Sequence, residues 1–117
     1  MELEAVMERF ALYTGLEGTA LAAQEPLCRE AMARLEEQRN RRELTDRGRE
    51  LLAAAAAAMA CRRHLLLCLT AGGSLTVGDA RVTRGGPVDT AAALETEALA
   101  AAALWLRPGV VFRRMEE

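Results

Sequence analysis

Residues 74–84 most constrain what this chain can fold into, because they alternate apolar and polar side chains between two helix-like regions. Alternation of this kind predicts β-strand, and Gly78-Asp79 at its centre predicts a two-residue hairpin turn. The flanking segments are rich in alanine and leucine, which predicts helix. A lone two-stranded hairpin is marginal in water. We therefore expect the hairpin to pack on the body of the protein or on another subunit.

Apolar residues at helical spacing predict four main helices around this hairpin. Gly15 is placed to end the first helix, and Pro26 suits the first turn of the second. The expected bounds, with Thr45 or Asp46 and then Asp89 or Thr90 as caps, are 2–13, 26–39, 45–70 and 89–106. The prediction is an all-α fold: a single domain, residues 1–117, forming a small bundle of about four helices with the hairpin between the third and fourth and a tail at 107–117.

The third helix is apolar nearly all round, from Leu51 to Ala60 and again from Leu65 to Leu69. Such a helix is buried on most sides, so we expect it at the centre of the fold or of an assembly. The pair Arg62-Arg63 argues against a membrane span, because each central arginine costs about 2.5–3.5 kcal/mol on insertion scales. The residues expected in the core are Leu51, Leu52, Ala55, Met59, Leu66 and Leu69, with Phe10 and Trp105 packed near them.

The composition points to stability gained by assembly. Hydrophobic residues make up 51% of the chain but aromatics only 3%, and alanine contacts bury little area each. A compact alanine-rich monomer is the alternative. The net charge of −2 argues against a dedicated nucleic-acid binder. Three cysteines without an export signal indicate reduced thiols and a cytoplasmic protein.

The sequence offers weak candidates for chemistry. Cys61, His64 and Cys68 lie on one helix face, but seven helical residues rise about 10.5 Å and a Zn–S bond is only about 2.3 Å long. The two thiols cannot share one ion, so we expect no metal site. One histidine and three scattered aspartates give no converging acid–base set. We therefore expect no catalytic residues, no bound cofactor and no enzyme.

A charged connection precedes the third helix. Its arginines alternate with acidic residues and have no aromatic neighbour for stacking bases, which favours a solvated loop. Non-specific contact with DNA is the alternative, and a helix-turn-helix is disfavoured because no short turn and recognition helix follow. The arginines concerned are Arg39, Arg41, Arg42, Arg47 and Arg49.

Four features together resemble the small head–tail connector (head-completion or adaptor) proteins of long-tailed phages and prophages. They are Phe10-x-x-Tyr-Thr-Gly15, the Leu- and Ala-rich third helix, Leu75-Thr-Val-Gly-Asp-Ala-Arg-Val-Thr83, and Glu97-Ala-Leu-Ala-Ala-Ala-Ala-Leu104 followed by Val111-Phe-Arg-Arg114. The resemblance spans nearly the whole chain. Pro26 departs from the family pattern of a long second helix, which implies a late start or a kink there.

The resemblance implies a structural protein that forms a homo-oligomeric ring at the portal vertex and joins capsid to tail. Its implied partners are the portal protein and tail-side adaptors, with at most non-specific contact with DNA in the ring lumen and no membrane. The protein would be cytoplasmic in the host during assembly and then a virion component. Unpaired strand edges are natural pairing surfaces, so the expected interface residues are Val77, Gly78, Asp79, Arg81, Val82, Val111 and Phe112. The alternative is an unrelated small helical binding or regulatory protein that could be dimeric.

Overall fold

The structure is a computed structural model that describes residues 2–70 and 87–108; residues 1, 71–86 and 109–117 lie outside the described part. The described residues form five α-helices and a final 3-10 turn. These are α1 (Leu3–Thr14), α2 (Gly18–Ala22), α3 (Glu25–Glu37), α4 (Asp46–Thr70), α5 (Pro87–Ala101) and the turn Ala103–Trp105.

Helix α1 buries the face that its periodicity predicts. Val6 and Phe10, one turn apart, are both fully buried. Gly15 ends the helix with a φ of 80°, a left-handed conformation that glycine adopts without steric cost. Its amide donates to the Ala11 carbonyl at 2.8 Å. The predicted stop at Gly15 is confirmed.

Helix α3 begins where Pro26 allows it to begin. Proline lacks an amide proton and is tolerated in the first turn, where that proton would have no helical acceptor. The helix buries Cys28, Ala31 and Leu35 on one face. The short helix α2 precedes it, outside all four helices predicted from the sequence. The predicted start of the main helix is therefore right within one residue.

Helix α4 is the centre of the fold and packs against α1, α3 and α5. The Thr45 hydroxyl accepts the Gly48 amide at 3.0 Å and caps the helix start. All six alanines from 53 to 58 are buried, because their small side chains let three helices approach closely. Residues 46–69 are long and apolar enough to cross a membrane by length and composition, but 44% of an apolar 18-residue window within them is buried inside the fold. Packing on three sides accounts for the apolar character.

The loop after α3 pairs with the end of the described chain, and we call this pairing the C-terminal clamp (residues 38–40 with 104–107). Arg39 and Leu106 form an isolated antiparallel bridge. The Asn40 amide donates to the Trp105 carbonyl at 3.0 Å, and the Arg107 amide donates to the Gln38 carbonyl at 2.8 Å. The Asn40 side chain also donates to the Leu104 carbonyl at 2.9 Å. These bonds fix the last turn beside the start of α4.

Trp105 closes the bundle at this end. Its ring is 6% exposed, and its Nε1 donates to the Glu43 carbonyl at 3.2 Å. Gly48 in the first turns of α4 faces the ring so closely that a Cβ there would lie 2.7 Å from the tryptophan Cε2. Glycine is required here by close approach, since that distance is far below van der Waals contact.

The predicted β-hairpin at 74–84 is wrong as part of this fold. The described residues contain helices, one 3-10 turn and an isolated bridge, but no strand, and segment 74–84 lies outside them. The alternation covers only a few residues on each side of Gly78, and a two-stranded ribbon needs further packing to be stable. The all-α part of the prediction fits the structure.

The predicted core is partly right. Leu52, Ala55, Phe10 and Trp105 are buried, but Leu66 is 37% exposed. Leu51, Met59 and Leu69 are only half-buried. The second half of α4 is less covered than the first, because α3 and α5 leave a gap beside it.

Candidate functional site: a groove beside the central helix

A groove of about 330 Å³ runs along the second half of α4, between α3 and α5. Its apolar lining comes from Leu27 on α3 and from Met59 and Leu66 on α4. Leu66 is 37% exposed. Apolar surface left open to water in this way is stabilised when another surface covers it. The full lining is Leu27, Glu30, Ala31, Arg34, Met59, Ala60, Arg62, Arg63, Leu66 and Glu95.

An ion pair between α4 and α5 lines one side of the groove. Arg62 Nη1 lies 3.3 Å from Glu95 Oε1, and the glutamate side chain is only 9% exposed. A buried carboxylate is costly unless it is paired, so this contact fixes the position of α5 on α4. The buried Arg62 Nε has no hydrogen-bond partner within the described part of the chain. The guanidinium therefore keeps one donor unused beside the groove.

Two further arginines line the rim. Arg34 pairs with Glu30 one turn earlier on α3, at 3.6 Å and largely in solvent, which is worth little free energy. Arg63 is exposed and forms no ion pair with any described residue. The groove thus combines an apolar floor with a cationic rim. Its chemistry suits an apolar side chain flanked by carboxylates.

Cys61, His64 and Cys68 lie on the other side of α4, towards α1. His64 Nε2 is 3.8 Å from Cys68 Sγ, and its ring meets Phe10 edge-on at 5.9 Å between centroids. Burial lowers the pKa of His64. It also raises the pKa of the Cys61 thiol. The described residues hold no group of three side chains that could bind a metal ion.

Cys28, on the inner face of α3, is fully buried. Burial, and then the nearby charge of Glu25, raise the pKa of its thiol to about 11. A thiol with such a pKa is protonated at neutral pH and is a poor nucleophile. Cys28 and Cys61 therefore act here as small apolar packing residues.

The charged connection before α4 is shorter in the structure than predicted, because α4 begins at Asp46 and residues 38–40 belong to the C-terminal clamp. Arg39 lies 3.8 Å from Glu36, and Arg49 lies 3.1 Å from Asp46. Arg41, Arg42 and Arg47 are exposed. Local acidic partners offset part of the basic charge, but the predicted solvated loop is right only for Arg41 and Arg42, because the Arg39 side chain is 19% exposed and Arg47 and Arg49 lie in α4.

All seven predicted interface residues lie outside the described part of the chain, so they stay predictions. The groove was missed by the sequence analysis. The signal that could have found it is Arg62-Arg63 within the apolar run of α4, because a double arginine marks where a core helix meets water. Glu95 is 33 residues away from Arg62, and no local pattern connects them.

No protein-family model, no curated protein and no solved structure matches this chain.

Proposed function

We propose that this chain is a non-catalytic structural subunit, a head–tail connector of a long-tailed phage or prophage. It assembles as a ring at the portal vertex and joins capsid to tail. Its partners are copies of itself, the portal protein and the next tail-side adaptor. The resemblance of the sequence to that family motivates the specific role.

The observation that carries the proposal is the groove beside α4. A free monomer gains nothing from leaving Leu66 exposed and Met59 half-covered along its central helix, whereas a subunit that assembles buries them. An interface of this kind has an apolar centre and a polar or arginine-containing rim. The groove lining has that composition.

The chemistry of the buried groups also favours assembly over catalysis. The raised pKa values of Cys28 and Cys61 keep both thiols protonated near neutral pH. The buried acid of the groove, Glu95, is paired with Arg62. Each of these groups has a packing or pairing role.

The test uses the portal protein encoded beside this gene. The full chain is incubated with that portal, and attachment is followed by electron microscopy and by sedimentation. We expect a ring of this chain on the portal. Leu66→Asp should abolish the ring. Leu104→Asp should leave it intact, because Leu104 is 53% exposed and lies in the 3-10 turn beside the start of α4, away from the groove.

Two results would overturn the proposal. One is the absence of portal and capsid genes near this gene. The other is a wild-type chain that is folded but does not attach to the portal, even at protein concentrations well above the dissociation constant of a specific complex. Either result would leave the small helical binding protein as the better explanation.

A further inference from the structure

The outer face of α1 carries an apolar and acidic stripe that has no use inside the monomer. Glu4, Glu8 and Leu12 follow each other at intervals of four residues and are all exposed. Leu12 is 75% exposed, the most of any large apolar side chain in the described residues. Neither glutamate forms an ion pair within residues 2–70 and 87–108.

This stripe and the groove are different surfaces of the same chain. Helix α1 packs on α4 and α3 through Val6 and Phe10. Its outer stripe points away from them. The groove opens between α3 and α5, where α1 does not contribute to the lining. One copy therefore cannot cover its own groove with its own α1 without unpacking the helix.

We propose that the outer stripe of α1 in one copy docks in the groove of the next copy. Leu12 covers the apolar floor formed by Leu66 and Met59, and Glu8 pairs with Arg63. This inference rests on the proposed function and deepens it, because it names the two surfaces through which a ring would close.

Charge complementarity identifies the occupant as a second copy. The groove lining has three arginines and two glutamates, which gives 3 − 2 = +1, and the stripe has two glutamates, which gives −2. The distance between the charged residue and the leucine is also similar on the two surfaces. Glu8 and Leu12 are separated by about 6 Å along their helix, and Arg63 and Leu66 by about 4.5 Å along theirs, from the 1.5 Å rise per residue.

A contact between two different surfaces of identical chains is heterologous. Such contacts repeat from copy to copy and close into a ring when the rotation between copies divides a full turn. A two-fold dimer would need the stripe of each copy to lie in the groove of the other at the same time, which the placement of α1 and of the groove on opposite sides of α4 opposes. The pairing of stripe with groove therefore favours a ring over an isolated dimer.

The experiment uses charge reversal on both surfaces of the full chain. Sedimentation velocity over a concentration series, with and without the cognate portal, measures association of wild type, E8R, R63E and the double variant. Each single variant should weaken association by about tenfold or more, and the double variant should recover it. Glu50→Arg, an exposed acid near the start of α4, is the matched control and should have no effect.

A mixture of the two single variants gives the sharpest outcome. In the mixture, the stripe of E8R complements the groove of R63E, and the unchanged stripe of R63E complements the unchanged groove of E8R, whereas contacts between copies of the same variant repel. The mixture should therefore recover association with alternating copies, although neither variant associates alone. Leu12→Asp should also prevent association. The chain should still fold, because Leu12 is 75% exposed. Circular dichroism confirms that each variant is helical.

The outcomes separate this inference from the proposed function. Rings on the portal that form equally well with E8R and R63E would overturn the inference and leave the connector function standing. Self-association that the double variant restores, without portal attachment, would support the inference and overturn the function. A wild-type chain that stays monomeric with and without portal would overturn both.

Discussion

The two ends of the apolar central helix α4 differ in how far neighbouring segments cover them. At its first turns, Gly48 lies against the Trp105 ring, and the C-terminal clamp seals the surface with backbone hydrogen bonds. At its second half, α3 and α5 separate, and Leu66 and Arg63 reach solvent. Among residues 2–70 and 87–108, the first end of α4 is covered by other segments of the chain, and the second half is left open.

The difference teaches where stability and function lie in a small alanine-rich domain. Alanines 53–58 let helices approach closely, so the middle of α4 needs no large side chains. A single tryptophan then closes the first end. Within the part of the chain that the structure describes, the open end leaves apolar surface exposed at a cost in stability, and under the proposed function a partner covers that surface.

Trp105→Ala should lower the free energy of unfolding more than any other change proposed here. A smaller effect would remove the contrast between the two ends of α4. Removing a buried aromatic side chain costs about 3–5 kcal/mol, and this change also leaves the Glu43 carbonyl without its donor. Urea unfolding of the full chain measures the loss. Leu104→Ala, one residue earlier and 53% exposed, should change the free energy of unfolding by less than about 0.5 kcal/mol. Equal effects would show that the closed end does not hold the fold together.

Arg62→Met tests the ion pair at the open end. Its side chain pairs with the buried Glu95 carboxylate but is itself 33% exposed, so the expected loss is about 1.5–3 kcal/mol in the free energy of unfolding. Arg63→Met is the matched control, since Arg63 is exposed and unpaired among the described residues, and it should cost less than about 0.5 kcal/mol. A loss as large as that of Trp105→Ala would erase the difference between the two ends.

Gly48→Ala sharpens the account of the closed end. Alanine is the better helix former by about 1 kcal/mol, yet its Cβ would lie 2.7 Å from the Trp105 ring, and overpacking of this kind costs about 1–3 kcal/mol. The net loss in the free energy of unfolding, measured by chemical denaturation, should therefore be at most about 2 kcal/mol. In a Trp105→Leu background the same change should become neutral or stabilising. If it stays destabilising there, the ring is not the cause.

The pH dependence of His64 is the smallest effect and concerns the open half of α4. Burial lowers the pKa of His64, so the unfolded chain takes up a proton before the folded one does. Stability is then full above the unfolded value of about 6.5 and is lost as the pH falls through the folded value. His64→Phe should reduce the loss of stability between pH 7.5 and pH 5, measured by urea midpoints. An unchanged pH profile would show that the ring is already well solvated.

The sequence predicts most of the helical architecture because its rules are local. Hydrophobic periodicity acts within a few turns and predicts the helices. Helix ends are predicted by single residues, namely Gly15, Pro26 and Thr45, and the structure confirms all three. Contacts between distant segments carry no local signal. The approach of Trp105 to Gly48 and the pairing of Arg62 with Glu95 both depend on how the helices pack.

The same limit explains the errors. A helix that is apolar all round indicates burial but not which of its sides a neighbour covers, so Leu66 was wrongly predicted in the core. Alternation over a few residues predicted a hairpin without regard to what it would pack on. The candidate site consequently escaped the sequence analysis, apart from the double arginine that marks its edge.

Amide hydrogen exchange of the free chain and of the same chain assembled on the portal tests the central claim most directly. Exchange rates report local opening, and a covered surface opens less often. The account predicts that assembly slows exchange in residues 59–66 and 4–12 and leaves residues 40–52 unchanged. Slowed exchange around 38–48 and 103–107, with none along the groove, would contradict it.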